Sequence, residues 1–126
     1  IQRDLRADII LVLDECTPFN VEREYTSSSM LRSHRWALRS LNEFIRTESA
    51  DNKQALYGIV QGGVYDDLRK ESAEFCNRNP FFGVAIGGSL GASPKDMYKI
   101  IETTTSFLDR ERRPIHLLGV GGIADI

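Results

Sequence analysis

The 126 residues carry a formal charge of −2, with 41% apolar and 27% charged side chains. That balance suits one folded domain with its own core and excludes a disordered chain. No apolar run approaches the roughly 20 residues of a membrane helix, no basic-then-apolar leader opens the chain, and the slight acidity speaks weakly against a phosphate-rich partner meeting this stretch.

Ile1 opens mid-pattern without an initiator Met, so the sequence reads as part of a longer chain. Its first apolar run, Asp8 to Leu13, is continuous rather than alternating, as in a strand buried on both faces. A helix is expected from about Ser28 to Arg46, with Leu31, His34, Leu38, Leu41 and Ile45 on its inner face. A second run, Ala55 to Val60, precedes a helix from about Val64 to Asn77, whose first turn carries Asp66 and Asp67 at the positive end of the dipole. After a third run, Phe81 to Ile86, a helix opens at Ser93 as N-cap, with Pro94 at its first position and Asp96 at its third. Met97, Ile100, Ile101, Thr104 and Leu108 would form its buried stripe, and a fourth run spans Ile115 to Leu118.

Four strands alternating with three helices spell a parallel α/β sheet. No GxGxxG follows the first run, which argues against a doubly wound dinucleotide fold. The expectation is a parallel (β/α) barrel of TIM type, of which these elements make about half. Residues 1–126 would form that one partial domain, with no separate second domain. Half a barrel leaves unpaired strand edges and an apolar face, so pairing with a second copy (a homodimer) or with the missing half is expected.

The strands end in polar or glycine-rich stretches: Asp14-Glu15-Cys16, Gln61-Gly62-Gly63, Gly87-Gly88-Ser89 and Gly119-Val120-Gly121-Gly122. In a parallel barrel all these ends share one rim, and that rim carries the active site. Asp14, Cys16, Gln61 and the Gly87-Gly88 backbone should therefore converge. A carboxylate, a primary amide and bare backbone N–H groups suit a flat heterocycle that carries both donors and a carbonyl. Guanine fits that description, and other polar ligands fit it too.

Each residue also has a plainer reading. Asp14 can cap a helix or close a loop, Gln61 can be a satisfied loop amide, and the glycine pairs can be turn residues. Cys16 can be a small buried structural thiol. His34, inside an apolar stripe, is favoured as a core histidine. Arg32, Arg35, Arg39 and Arg46 share a stripe favoured as a solvated outer face, with Glu43 placed to pair with Arg39, over a tRNA contact. Cys16 and Cys76 lack a CxxC or neighbouring histidines, which suggests a reducing, cytoplasmic setting and no metal site in this stretch.

With these strings in place, the sequence resembles the tRNA-guanine transglycosylases (queuine tRNA-ribosyltransferases). The matching stretches are Asp8 to Pro18, Ser29 to Trp36, Tyr57 to Gly63, Ile86 to Gly88 and Leu118 to Gly121, in the family's order and spacing. Asp14-Glu15-Cys16-Thr17-Pro18 followed by Gly58-Ile59-Val60-Gln61-Gly62-Gly63 is the most specific pair. The resemblance implies a barrel enzyme of queuosine biosynthesis that replaces the wobble guanine of a tRNA with a 7-deazaguanine (the prequeuosine-1 base or queuine). An aspartate attacks C1′ of the ribose and guanine leaves, from a nucleotide taken out of its stack.

Carried over by position, Asp14 would grip the N–H edge of the base and Gln61 its carbonyl side. Gly88 would donate its backbone N–H to O6, while Cys16 and Leu118 line the pocket. The Gly87-Gly88-Ser89 loop would face the 7-substituent. Gly119, Val120, Gly121, Gly122, Ile123, Ala124 and Asp125 match a stretch described as RNA-binding, which would meet the tRNA anticodon stem-loop. No organic cofactor is implied. Zinc is expected in a subdomain beyond Ile126, as is the attacking aspartate of an Asp-x-Phe-Asp-Cys pattern, while a second aspartate should precede Ile1. Residues 1–126 alone would thus lack catalytic residues and be inactive. The loop from Gly87 to Ser93 also departs from the bacterial Gly-Gly-Leu-(Ser/Ala)-Val-Gly-Glu pattern, lacking its Glu. Two alternatives remain: a non-catalytic paralogue subunit, and a (β/α) barrel enzyme acting on a phosphorylated metabolite through Gly119 to Gly122.

Overall fold

A computed structural model describes residues 1–47 and 53–121. Four strands, β1 (Ile9–Leu11), β2 (Ala55–Val60), β3 (Gly83–Ile86) and β4 (Ile115–Leu117), form one sheet in the order β1-β2-β3-β4. All neighbours are parallel, with Ile10 opposite Leu56, Ile59 opposite Ala85 and Ile86 opposite Leu117. Helices α1 (Arg23–Arg46), α2 (Asp66–Arg78) and α3 (Pro94–Ser106) make the crossovers. The result is the half-barrel that the order of apolar runs implies.

The core has two connected parts. Ile10, Val12, Leu56, Ile59, Phe81 and Ala85 pack with Ala37 and Leu41 of α1. Val60, Val84 and Ile86 pack with Ala73 and Cys76 of α2 and with Leu108 just past α3. Two strand glycines make room for rings in this core. A Cβ at Gly58 would sit 2.6 Å from Phe81 Cδ2, and one at Gly83 only 2.3 Å from Tyr57 Cε1. The rings cover the bare backbone and keep those strand positions dry.

The start of α3 follows its sequence signals. Ser93 accepts a hydrogen bond from the Asp96 N–H at 3.2 Å, and Pro94 opens the helix. Ile100 and Thr104 are buried, whereas Met97 and Ile101 are half-covered.

Helix α1 departs from expectation. It begins at Arg23 rather than Ser28, and its buried face is Thr26, Ser29, Met30, Ser33, His34, Ala37 and Leu41. Leu31, Leu38 and Ile45 lie one residue further round and are exposed. The reason is the loop after β1, which lies against this helix and brings backbone N–H groups that need acceptors. The Ser33 hydroxyl takes the Glu15 N–H at 2.9 Å, and Ser29 bonds Thr17 at 2.6 Å. A leucine stripe would have left those groups unpaired. The expected Glu43–Arg39 pair is also replaced: Glu43 takes a two-pronged bond from Arg46, at 2.9 and 2.7 Å.

Candidate functional site

Because all four strands run the same way, Asp14, Gln61, Gly87 and Leu118 emerge on one rim. The last rung between β1 and β2 is the Val12 N–H to the Tyr57 carbonyl at 3.1 Å. Beyond it α1 takes hold of the chain. Glu15 accepts from the Tyr25 hydroxyl at 2.6 Å and pairs with Arg32, and these bonds, Tyr25 first, hold its carboxyl below the usual range. Glu15 is thus engaged with α1, while its neighbour Asp14 meets β2. The Asp14 Oδ2 accepts from Gln61 Nε2 at 2.5 Å. Burial pushes the Asp14 carboxyl above its ordinary value, outweighing its hydrogen bonds to its own backbone N–H and to Gln61.

Gln61 is wholly buried. Its backbone N–H donates to Ser72 Oγ at 2.9 Å, and the same hydroxyl lies 2.9 Å from His34 Nε2. With one lone pair taken by Gln61, the Ser72 hydroxyl still has a hydrogen to give to a bare Nε2 and a second lone pair to take an Nε2–H, so it can bond either tautomer of a neutral imidazole. Burial, aided by the charge of Arg78, holds His34 down to about 4. Its ring stacks on Phe75 at 4.0 Å, so it is the core histidine favoured from sequence. At the other end of Gln61, Oε1 is buried without a donor among the described residues. Such an orphaned acceptor costs about 1–3 kcal/mol.

That oxygen faces Gly88. A Cβ there would lie 2.6 Å from Gln61 Oε1, and the backbone sits at φ +73°, so this position excludes a side chain twice over. Gly87 is fixed by its N–H to the Val60 carbonyl at 3.0 Å. A Cβ on Gly87 would lie 3.3 Å from Gln61 Nε2 and 3.5 Å from Leu118 Cδ1, so these residues form one contiguous group. Ser89 accepts from Gly91 N–H through its hydroxyl, at 3.4 Å. Beside this group, Leu90, Gly91, Met97, Leu118 and Gly119 border a depression of about 300 Å³.

Sequence reasoning missed the residue that ties the rim together. Arg69 is 1% exposed, yet donates to four backbone carbonyls: Gly63 at 2.7 Å, Val60 at 3.3 Å, Gly87 at 2.7 Å and Ser89 at 2.9 Å. Burial draws the guanidinium down to about 10, against the opposing effect of the nearby Cys16 sulfur. It stays charged at neutral pH. A signal was available, because Arg69, Ser72, Ala73 and Cys76 lie on one helical stripe and place a cation on an otherwise small, buried face.

Asp14, Gln61, Gly87, Gly88 and Leu118 are therefore brought together, and Ser89 is tied in through Arg69. Cys16 is exposed, so the reading of it as a buried structural thiol does not hold. Convergence comes without openness, because Gln61 is covered and bonded to Asp14. Gly119 has φ +74°, and among the described residues nothing lies within 4 Å of its missing Cβ or of that of Gly121. Gly122, Ile123, Ala124 and Asp125 lie outside the described residues. Among the described residues no group of His, Cys, Asp and Glu could hold a metal ion. They offer no donor set for the zinc that the resemblance implies. No described helix is long and apolar enough to cross a membrane.

Comparison with known proteins points to one family. Residues 1–126 match the sequence profile of the family described as queuine tRNA-ribosyltransferase. The chain is 47% identical over 127 residues to the queuine tRNA-ribosyltransferase of Aliivibrio salmonicida, covering all of this chain and 33% of that protein. It is 43% identical over 125 residues to that of Chlamydia pneumoniae, covering 99% of this chain and 32% of that one. For Mannheimia succiniciproducens the identity is 44% over 127 residues, covering all of this chain and 32% of the relative. The chain thus spans about a third of the length of the curated relatives it matches.

Proposed function

The chain belongs to the queuine tRNA-ribosyltransferase family, and from that premise we propose that its protein is a tRNA-guanine transglycosylase whose base-binding rim these residues supply. The supporting observation is the meeting of Asp14, Gln61 and Gly88 at the ends of three neighbouring strands. In this reading the Asp14 carboxylate accepts from N1–H and the 2-amino group of guanine. Gly88 N–H donates to O6, and Gln61 turns from Asp14 toward the guest, so that no donor is left unpaired. Leu118 covers the base and Cys16 lines its edge. A 7-deazaguanine, whether the prequeuosine-1 base or queuine, places its substituent toward the depression beside Ser89 and Leu90.

Gly119 to Asp125 meet tRNA in this proposal, the open surface at Gly119 and Gly121 leaving room for phosphate to approach backbone N–H groups. Residues 1–126 contain neither the Asp-x-Phe-Asp-Cys string nor the zinc ligands of the resemblance, so they are assigned binding and no bond-making step. Two unbridged thiols favour a reducing, cytoplasmic setting. The β1 edge, with Ile9 52% exposed, is a surface for the rest of the barrel or for a second copy in a homodimer.

The test is incorporation of radiolabelled guanine into a tRNA bearing a wobble guanine, catalysed by the full-length protein. Label should enter the tRNA, and Asp14→Ala should lower kcat/KM by about tenfold to a hundredfold. No incorporation by the wild type, with binding of a sugar phosphate instead, would overturn the reading.

A further inference from the structure

Arg69 is a buried cation with no carboxylate partner among the described residues, which is an expensive arrangement for a side chain that only fills space. Its four acceptors are not scattered. Val60 and Gly63 bracket Gln61, while Gly87 and Ser89 bracket Gly88. One guanidinium thus holds the backbone on either side of both residues assigned to the base.

The bond to Gly87 has a directional consequence. The described chain has no cis peptide, so the Gly87 carbonyl and the Gly88 N–H, which share one peptide plane, point opposite ways. Drawing that carbonyl 2.7 Å from Arg69 turns the Gly88 N–H away from the guanidinium, and no described residue accepts from it. A peptide between two glycines has little steric preference for one orientation over its flip. Resting on the function proposed above, we infer that Arg69 is a positioning residue: it sets the Gly87–Gly88 peptide so that the Gly88 N–H faces the carbonyl of the bound base. The Ser89 carbonyl bond steadies the loop on the far side, and the bond from Nε to Gly63 fixes the head of the fork.

The discriminating measurement is a ratio of affinities in the full-length protein. 2-Aminopurine lacks both the O6 carbonyl and the N1–H of guanine, so wild type should prefer guanine on both counts, and it is the change in that ratio on altering Arg69, with Asp14 left in place, that reads the Gly88 bond. Arg69→Lys keeps the charge but cannot reach all these carbonyls with one ammonium. It should lower the guanine over 2-aminopurine ratio about tenfold while its affinity for 2-aminopurine stays near the wild-type value. A merely structural role would weaken both ligands equally, and an unchanged ratio overturns the inference. Should Arg69→Lys fail to fold, Arg69→Gln is measured in the same way. Failure of the underlying reading looks different: wild type would bind no guanine, or Asp14→Asn would bind it as well as wild type.

Discussion

Gly88 and Gly119 share nearly the same φ, +73° and +74°, and sit at the ends of neighbouring strands. Around Gly88 everything is occupied: Gln61 Oε1 is 2.6 Å and the Arg69 Nη2 atom 3.6 Å from where a Cβ would go. Where a Cβ would go on Gly119, no described residue comes within 4 Å. The same residue type thus serves two purposes on one rim. At Gly88 it allows two buried polar groups to close on bare backbone, and at Gly119 it allows a turn that leaves the backbone open.

The largest effect should come from breaking the crowded side. Gly88→Ala adds left-handed strain and a clash with Gln61, together about 4 kcal/mol, read as a lower denaturation midpoint and lost guanine affinity. The next effect comes from acid. His34 is held at about 4 in the folded protein, against 6.5 as its ordinary value. Between those values the unfolded chain binds the proton and the folded one does not, so stability is complete above pH 6.5 and falls as pH drops toward 4. The loss is about 3 kcal/mol. Asp14, raised by burial, works in the opposite direction and trims the slope. Melting curves of wild type and His34→Gln from pH 7 to 4.5 should diverge, with the variant flatter; parallel curves would contradict the neutral imidazole.

Ser72→Ala should be milder, about 2 kcal/mol by urea denaturation, because it orphans the Gln61 N–H and leaves His34 Nε2 without its partner. The smallest effect belongs to the open side. Gly119→Ala should cost about 1 kcal/mol from backbone strain alone and leave guanine affinity unchanged. If Gly119→Ala proved as damaging as Gly88→Ala, the contrast between crowded and open ends would be wrong.

How much of this was legible in the sequence varied with what kind of residue carried the signal. Strand β2 was readable to its ends because Ala55 to Val60 is an uninterrupted apolar run. The start of α3 was readable because Ser93, Pro94 and Asp96 act through local bonds. The buried face of α1 was not, since hydroxyls of Ser29 and Ser33 serve a loop whose path depends on the tertiary fold, and counting leucines cannot reveal that. The rim residues Asp14, Gln61 and Gly88 were legible from their places after apolar runs, because parallel strands align their ends. Arg69 escaped notice for a related reason: an arginine in a helix reads as solvated, and its four carbonyl partners come from turns far apart in sequence.

The most direct test is a crystal structure of the full-length protein soaked with guanine. The base should lie between Asp14 and Gly88, with O6 within hydrogen-bonding distance of the Gly88 N–H and the Asp14 carboxylate on its N1 and 2-amino edge. Guanine bound elsewhere, with the Asp14–Gln61 hydrogen bond intact and the rim unaltered, would contradict the account.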